Sequence, residues 1–172
     1  MADMDHQPQQ PLSGFRAIET VREIVTDANI CLLVTRHDSF PFDVRPMAAQ
    51  AVEADGSIWF LSSSASDKNR DIERDPRVTL LVQNNRKYEY LQLSGRATIH
   101  RDRALIDKYW TRMAEAWFEG KDDPRVTLLA LHPETGHYWT TTNGKIAAGI
   151  KMLLSAAGAD VDDGGVHGEL RI

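Results

Sequence analysis

Phe15, Ile18, Val21, Ile24 and Val25 recur at spacings of three and four, an apolar stripe that predicts an amphipathic helix starting near Ser13. At residue 30 the period changes. Residues 30–36 (I-C-L-L-V-T-R) form a compact apolar run with β-branched members, fit for a buried strand. H-D-S-F-P at 37–41 reads as a turn and 44–53 as a second strand. Asp55-Gly56 marks a hairpin turn leading into a third strand, I-W-F-L-S at 58–62.

A short helix over 67–74 stops at Asp75-Pro76, because proline cannot continue it. Strands follow at 78–83 and 88–100. Residues 105–118 carry Ile106, Tyr109, Trp110, Met113, Ala114 and Trp117 on one stripe, predicting a second amphipathic helix. Two more strands are expected at 126–131 and 137–142, with H-P-E-T-G turning between them, and a helix over 146–157. The domain is expected over 14–158, flanked by a flexible Gln/Pro-rich arm (1–13) and a Gly/Asp-rich tail (159–172). The first three strands follow one another without crossover helices, which opposes a doubly wound parallel sheet. The pattern favours a mainly β protein, a closed antiparallel barrel with helical additions.

Composition narrows the function classes. With 42% hydrophobic residues the chain can bury a core. A net charge of −5 opposes general nucleic-acid binding, which needs clustered Lys and Arg, but allows a local basic pocket. The single cysteine, Cys31, forms no internal disulfide and suits a reducing cytoplasm; within its apolar run it reads as a buried hydrophobe. The polar start lacks a signal-peptide pattern, and no apolar run approaches the ~20 residues of a membrane span, so a soluble protein is expected.

Phosphate-loop, dinucleotide, zinc-protease and hydrolase motifs are absent, and no catalytic residue is assigned. His132 and His137 straddle a turn and read as solvated or capping residues, so no metal is expected. The informative stretch is W-F-L-S-S-S-A-S-D-K-N-R at 59–70, where a strand ends in serines and a helix opens with Ser66, Asp67 and Lys68. Hydroxyls, helix N-terminal amides and the Lys68 ammonium together suit an anion. The equal alternative is a plain cap, with Ser66 closing the helix and Asp67 complementing its dipole. Arg45, followed by Pro46, projects either into a cleft or onto the surface.

The ordered set R-P-M (45–47), W-F-L-S (59–62), D-K-N (67–69), D-P-R-V-T-L (75–80), G-H-Y-W (136–139) and G-E-L (168–170) resembles the pyridoxamine 5′-phosphate oxidase-like, FMN-binding split-barrel superfamily. Within it, the bacterial general stress proteins match best. The resemblance implies an antiparallel Greek-key split barrel and a bound FMN, with FAD as an alternative. It implies that Arg45, Ser62 and Lys68 hold the phosphate and ribityl chain, with Ser66 as a further phosphate donor. Backbone around Met47, Ala48, Phe60 and Leu61 is implied to face the isoalloxazine edge. Trp139 matches an aromatic placed near the flavin, often from the partner subunit; a barrel-core tryptophan is the equal alternative. A homodimer with flavin sites at its interface is implied as well. Asp67 stands where true pyridoxamine phosphate oxidases have a second basic residue, and their C-terminal Arg-x-His segment has no counterpart in G-G-V-H-G-E-L-R-I. The vitamin substrate site is therefore not expected. What is left is a flavin-dependent oxidoreductase with a nicotinamide electron donor, a non-catalytic flavin-binding stress module, or a structural barrel with no ligand.

Overall fold

In a computed structural model of the chain, the structure describes residues 10–140, 152, 156 and 166–172. After a two-residue strand β1 (Leu12–Ser13), helix α1 (Phe15–Ala28) buries Ala17, Val21, Ile24 and Val25. It ends at Asn29, whose positive φ of 63° is better tolerated by asparagine than by most side chains, and the Asn29 amide closes on Val25 O at 2.9 Å. These side chains enter the main core with Leu33, Phe60, Leu80, Leu93, Leu129 and Tyr138. Ile24→Ala there should cost about 2–5 kcal/mol.

Strands β2 (Ile30–Thr35), β3 (Asp43–Val52) and β4 (Ile58–Ser63) run as an antiparallel meander. Helix α2 (Asp67–Arg74) then carries the chain back, and β5 (Arg77–Asn84) pairs with the free edge of β2. The order β5-β2-β3-β4 is a Greek key, with α2 as its long connection. Strand β6 (Glu89–His100) pairs with β5, and β7 (Val126–Thr140) pairs with both β6 and β4. That last pairing closes a six-stranded antiparallel barrel, as the sequence led one to expect.

Three expectations are corrected. The strands expected at 126–131 and 137–142 are one continuous strand, β7, with no turn at 132–136. A β-bulge absorbs Pro133: the β6–β7 register slips between Ser94 and Gly95, so Pro133 stands opposite Gly95 and Glu134 is extra. The helix expected over 105–118 ends early, as α3 (Arg103–Tyr109), and resumes only as a 3₁₀ turn at Arg112–Ala116. Aromatic and β-branched residues at 109–111 are weak helix formers, and Trp110 is extended (ψ 134°). The break splits one stripe in two: Tyr109 stacks on Trp59 at 4.6 Å, while Trp110 packs on Phe118 at 6.2 Å. Finally, the end of the segment read as a tail is strand β8 (Val166–Arg171), which pairs with β7 and, in parallel, with β1. Leu12, in the stretch read as an arm, is thereby buried.

The helix expected over 146–157 lies outside the described residues, apart from Met152 and Ala156, which are helical. No described helix is long and apolar enough to cross a membrane.

Candidate functional site

The returning helix α2 puts its first turn beside the ends of β3 and β4. Between these elements and the 3₁₀ turn lies a cleft of about 400 Å³. Strand β3 contributes Pro46, Met47, Ala48 and Gln50, strand β4 Leu61, Ser62 and Ser63, and α2 Lys68. Thr111, Met113, Ala114, Trp117, Phe118 and Arg125 form the opposite wall.

Lys68 carries the electrostatic signal. It is half-buried, and its ammonium makes no hydrogen bond or ion pair among the described residues. Burial, then the nearby Arg45 guanidinium, push its pKa below the ordinary lysine value, against a smaller opposing pull from Asp67. Asp67 is spent elsewhere, paired with Arg70 and largely exposed. Arg45 does not line the cleft itself. Its Nη1 donates to Thr35 Oγ1 at 2.8 Å, and its Nη2 lies 3.6 Å from Asp71 Oδ2.

The serines are arranged differently from a simple cradle. Ser62 is buried and donates to Asn69 Oδ1 at 2.7 Å. The Ser66 hydroxyl lies 2.7 Å from Ser63 O and 3.2 Å from Asn69 Oδ1. Ser66 occupies the N-cap position of α2 without a side-chain cap bond, so no side chain closes the first turn of this helix. Helix amides left this way, next to Lys68, suit an anion.

The other sequence-derived residues divide clearly. Met47, Ala48, Leu61, Ser62 and Lys68 meet in the cleft. Phe60 is 1% exposed and points into the core, so only its backbone faces outward. Trp139 does not reach the cleft; with Ile30, Leu32, Leu81 and Tyr90 it lines a separate apolar concavity of about 590 Å³ on the outer barrel face. Cys31 is buried in the core, and burial pushes its thiol up to about 12, which leaves it inert at neutral pH. Among the described residues no group of three metal-ligating side chains exists. His132 and His137 both lie in β7, and His132 Nε2 is 3.2 Å from Thr98 Oγ1.

Sequence reasoning missed Gln50, Asn69 and the whole opposite wall. Gln50 sits where the β3–β4 register slips between Ala49 and Ala51, and its Oε1 accepts from Thr111 Oγ1 at 3.2 Å. Alternation from Pro46 and Ala48 would have placed it on the cleft side. Arg125 is committed to Asp123, donating from Nε at 3.0 Å and Nη2 at 2.7 Å, and this pairing holds the Asp123 carboxyl well below the usual range. It offers no free cation to a ligand.

A Greek-key split barrel with an anion-receptive cleft at a helix N-terminus defines the class. The family model for pyridoxamine 5′-phosphate oxidase-like proteins matches residues 16–163, and the chain belongs to that family. It is 33% identical over 85 residues to general stress protein 26 of Bacillus subtilis, a match that covers 45% of this chain and only 58% of that protein. It is 26% identical over 159 residues to protein bli-3 of Neurospora crassa, covering 84% of this chain and 76% of that one. Among solved structures, general stress protein 26 from Bacillus anthracis superposes with a TM-score of 0.62 at 25% identity, covering 70% of this chain and 92% of that one. A general stress FMN/FAD binding protein from Xanthomonas citri superposes with a TM-score of 0.61 at 25% identity, covering 72% and 87%.

Proposed function

We propose that this protein is an FMN-binding member of the general stress type and works as a flavin-dependent oxidoreductase with a nicotinamide electron donor. One observation carries the reading: a half-buried Lys68 without an ion pair, in a cleft whose other charged residue, Arg125, is held by Asp123, beside Arg45 and an uncapped helix N-terminus. A phosphate answers all three features. The donor set therefore fits FMN, and the Xanthomonas citri structure of the same fold is described as FMN/FAD binding. In this reading Lys68, Arg45 and the first-turn amides take the phosphate. Ser62 and Ser66 shape the turn, and the β3 and β4 backbone at Met47, Ala48, Phe60 and Leu61 borders the ring. Bound FMN supplies the hydride chemistry; the protein's residues supply position and charge.

Pyridoxamine phosphate is not proposed as a substrate. The residue before Lys68 is acidic, and its side chain faces solvent in a pair with Arg70.

The site is proposed to be completed by a second copy of the chain. Ile30, Leu32 and Leu81 are 49%, 43% and 38% exposed, although they lie on adjacent strands of a barrel wall. Ile30 and Leu32 stand in register with Ala48 and Pro46, which line the cleft. A partner covering this apolar face would reach the edge of the flavin site and would bring its Trp139 into the interface. With one cysteine in the chain, a reducing cytoplasm is the proposed setting.

Fluorescence titration with FMN, followed by NADH and NADPH oxidation by the loaded protein, tests this reading. Quenching with turnover supports the oxidoreductase. Quenching without turnover leaves a flavin-binding module, and no quenching refutes the site.

A further inference from the structure

Helix α2 is eight residues long, yet only Asn69 and Ile72 are buried along it. Ile72 anchors the second turn in the main core. In the first turn, which carries Lys68, the one buried side chain is Asn69, 1% exposed and turned into the barrel wall, while Asp71 just beyond it accepts from Thr35 Oγ1 of β2 at 2.7 Å. Its amide joins three other places in the chain. Oδ1 accepts from Ser62 Oγ at the end of β4 at 2.7 Å, and Ser66 Oγ lies 3.2 Å away. Nδ2 donates to Thr127 Oγ1 at the start of β7 at 3.0 Å, and Thr127 is fully buried.

We propose that Asn69 is the positioning residue of the anion cradle: by fixing the rotation of the first turn of α2, it sets Lys68 toward the cleft and gives the site its preference for a phosphorylated flavin. The inference rests on the flavin reading above. Successive helix residues point about 100° apart, so a side chain pinned inward at 69 determines where its neighbour at 68 points. The amide also directs the Ser62 hydrogen inward, away from a ligand. Phosphate selectivity then resides in Lys68, Arg45 and backbone amides, with the serines as scaffolding. A buried alanine leaves Thr127 without its donor and Ser62 with only the 3.5 Å contact to Ser66, and aspartate keeps the acceptor but loses the donor to Thr127 and adds a negative charge next to Lys68.

The test compares FMN with riboflavin, which lacks the phosphate, by fluorescence titration of the full chain, together with backbone hydrogen exchange without flavin. In Asn69→Ala the FMN-over-riboflavin preference should fall about tenfold while riboflavin affinity stays within about twofold. Exchange should quicken at positions 69 and 70, whose amides close on Ser66 O, while the amides around Ile72 stay protected. Thr127→Val, which removes the anchor without touching α2, should shift both readouts the same way by less. Ile72→Val, a core truncation on the same helix, should lower the melting temperature and leave the preference unchanged. Unchanged preference or unchanged exchange in Asn69→Ala overturns the inference, as does an equal loss of both flavins. A wild-type chain that binds FMN no better than riboflavin refutes the phosphate cradle itself. Quickened exchange at positions 69 and 70 in Asn69→Ala would then show a helix anchor without a ligand role, which also overturns the proposal.

Discussion

Thr35 stands between Arg45 and Asp71, accepting from Arg45 Nη1 at 2.8 Å and donating to Asp71 Oδ2 at 2.7 Å. The hydroxyl is fully buried, so the guanidinium is held in place from behind. Thr35→Val keeps the shape and removes only this link. FMN affinity should drop by roughly fivefold, less than the ~1.5–3 kcal/mol of a hydrogen bond to a charged group, because Arg45 keeps its ion pair with Asp71. Arg45→Ala removes a charged contact and leaves Asp71 without its cation, and should cost about 1.5–3 kcal/mol, or ten- to over a hundredfold. Lys68→Ala should fall in the same range. Fluorescence titration of the three variants checks the ranking, and equal affinity in Arg45→Ala and wild type removes Arg45 from the site.

Lys68 gives the binding a pH signature. Burial and Arg45 lower its pKa in the free protein, and an anion binds only the protonated form well. FMN affinity is therefore fully present below the depressed lysine pKa and is lost as pH rises through it, earlier than an ordinary lysine would allow. At the acid end, affinity weakens near pH 6 as the phosphate takes up its second proton. Titrations carried through both limits should show the alkaline limb in wild type and lose it in Lys68→Ala. An alkaline limb that persists in the variant assigns it to another group.

Much of this fold was legible because its signals are local. The α1 stripe, the Asp55-Gly56 turn and the stop at Asp75-Pro76 each fix an element without tertiary help, and α2 occupies the expected residues 67–74. The misreadings share a cause in long-range pairing. Pro133 looked like a turn because its accommodation depends on Gly95, 38 residues earlier in sequence. The stripe at 105–118 looked like one helix because its two halves pack on different partners, Trp59 and Phe118. Val166–Arg171 is an ordinary strand only through its pairing with β7. At the site, charged residues at a strand end and a helix start were readable, since their chemistry is unusual for a buried place. Asn69 and the wall at 111–118 were not, because their roles follow from what the barrel brings opposite them.

The Gly95–Pro133 contact allows a stability prediction. A Cβ on Gly95 would stand 2.8 Å from Pro133 Cα and closer still to His132 O, both backbone atoms with no freedom to move aside. Gly95→Ala should destabilise the barrel by about 2–3 kcal/mol, the usual cost of forcing backbone to shift. Gly120→Ala, in open space at φ 129°, tests strain without a clash and should cost about 1 kcal/mol. Urea unfolding of the two variants measures both, and a Gly95→Ala protein as stable as wild type means that the bulge shifts freely.

The last prediction concerns the apolar outer face. Leu32 stands in register with Pro46 on one side and Leu81 on the other, so a charge at 32 lies at the centre of the proposed contact. The side chain is 43% exposed, which means that a monomer should tolerate Leu32→Glu within about 0.5 kcal/mol. A dimer should not, because the carboxylate would be buried without a partner. Light scattering should then show wild type near twice the 19.3 kDa chain mass and Leu32→Glu at the chain mass. Because Pro46 lines the cleft and pairs with Leu32, the variant should also bind FMN more weakly, and its melting temperature in the absence of flavin should no longer depend on protein concentration. A wild-type protein that runs as a monomer with FMN bound would show that one chain completes the site. A Leu32→Glu dimer with unchanged affinity would move the interface to another face.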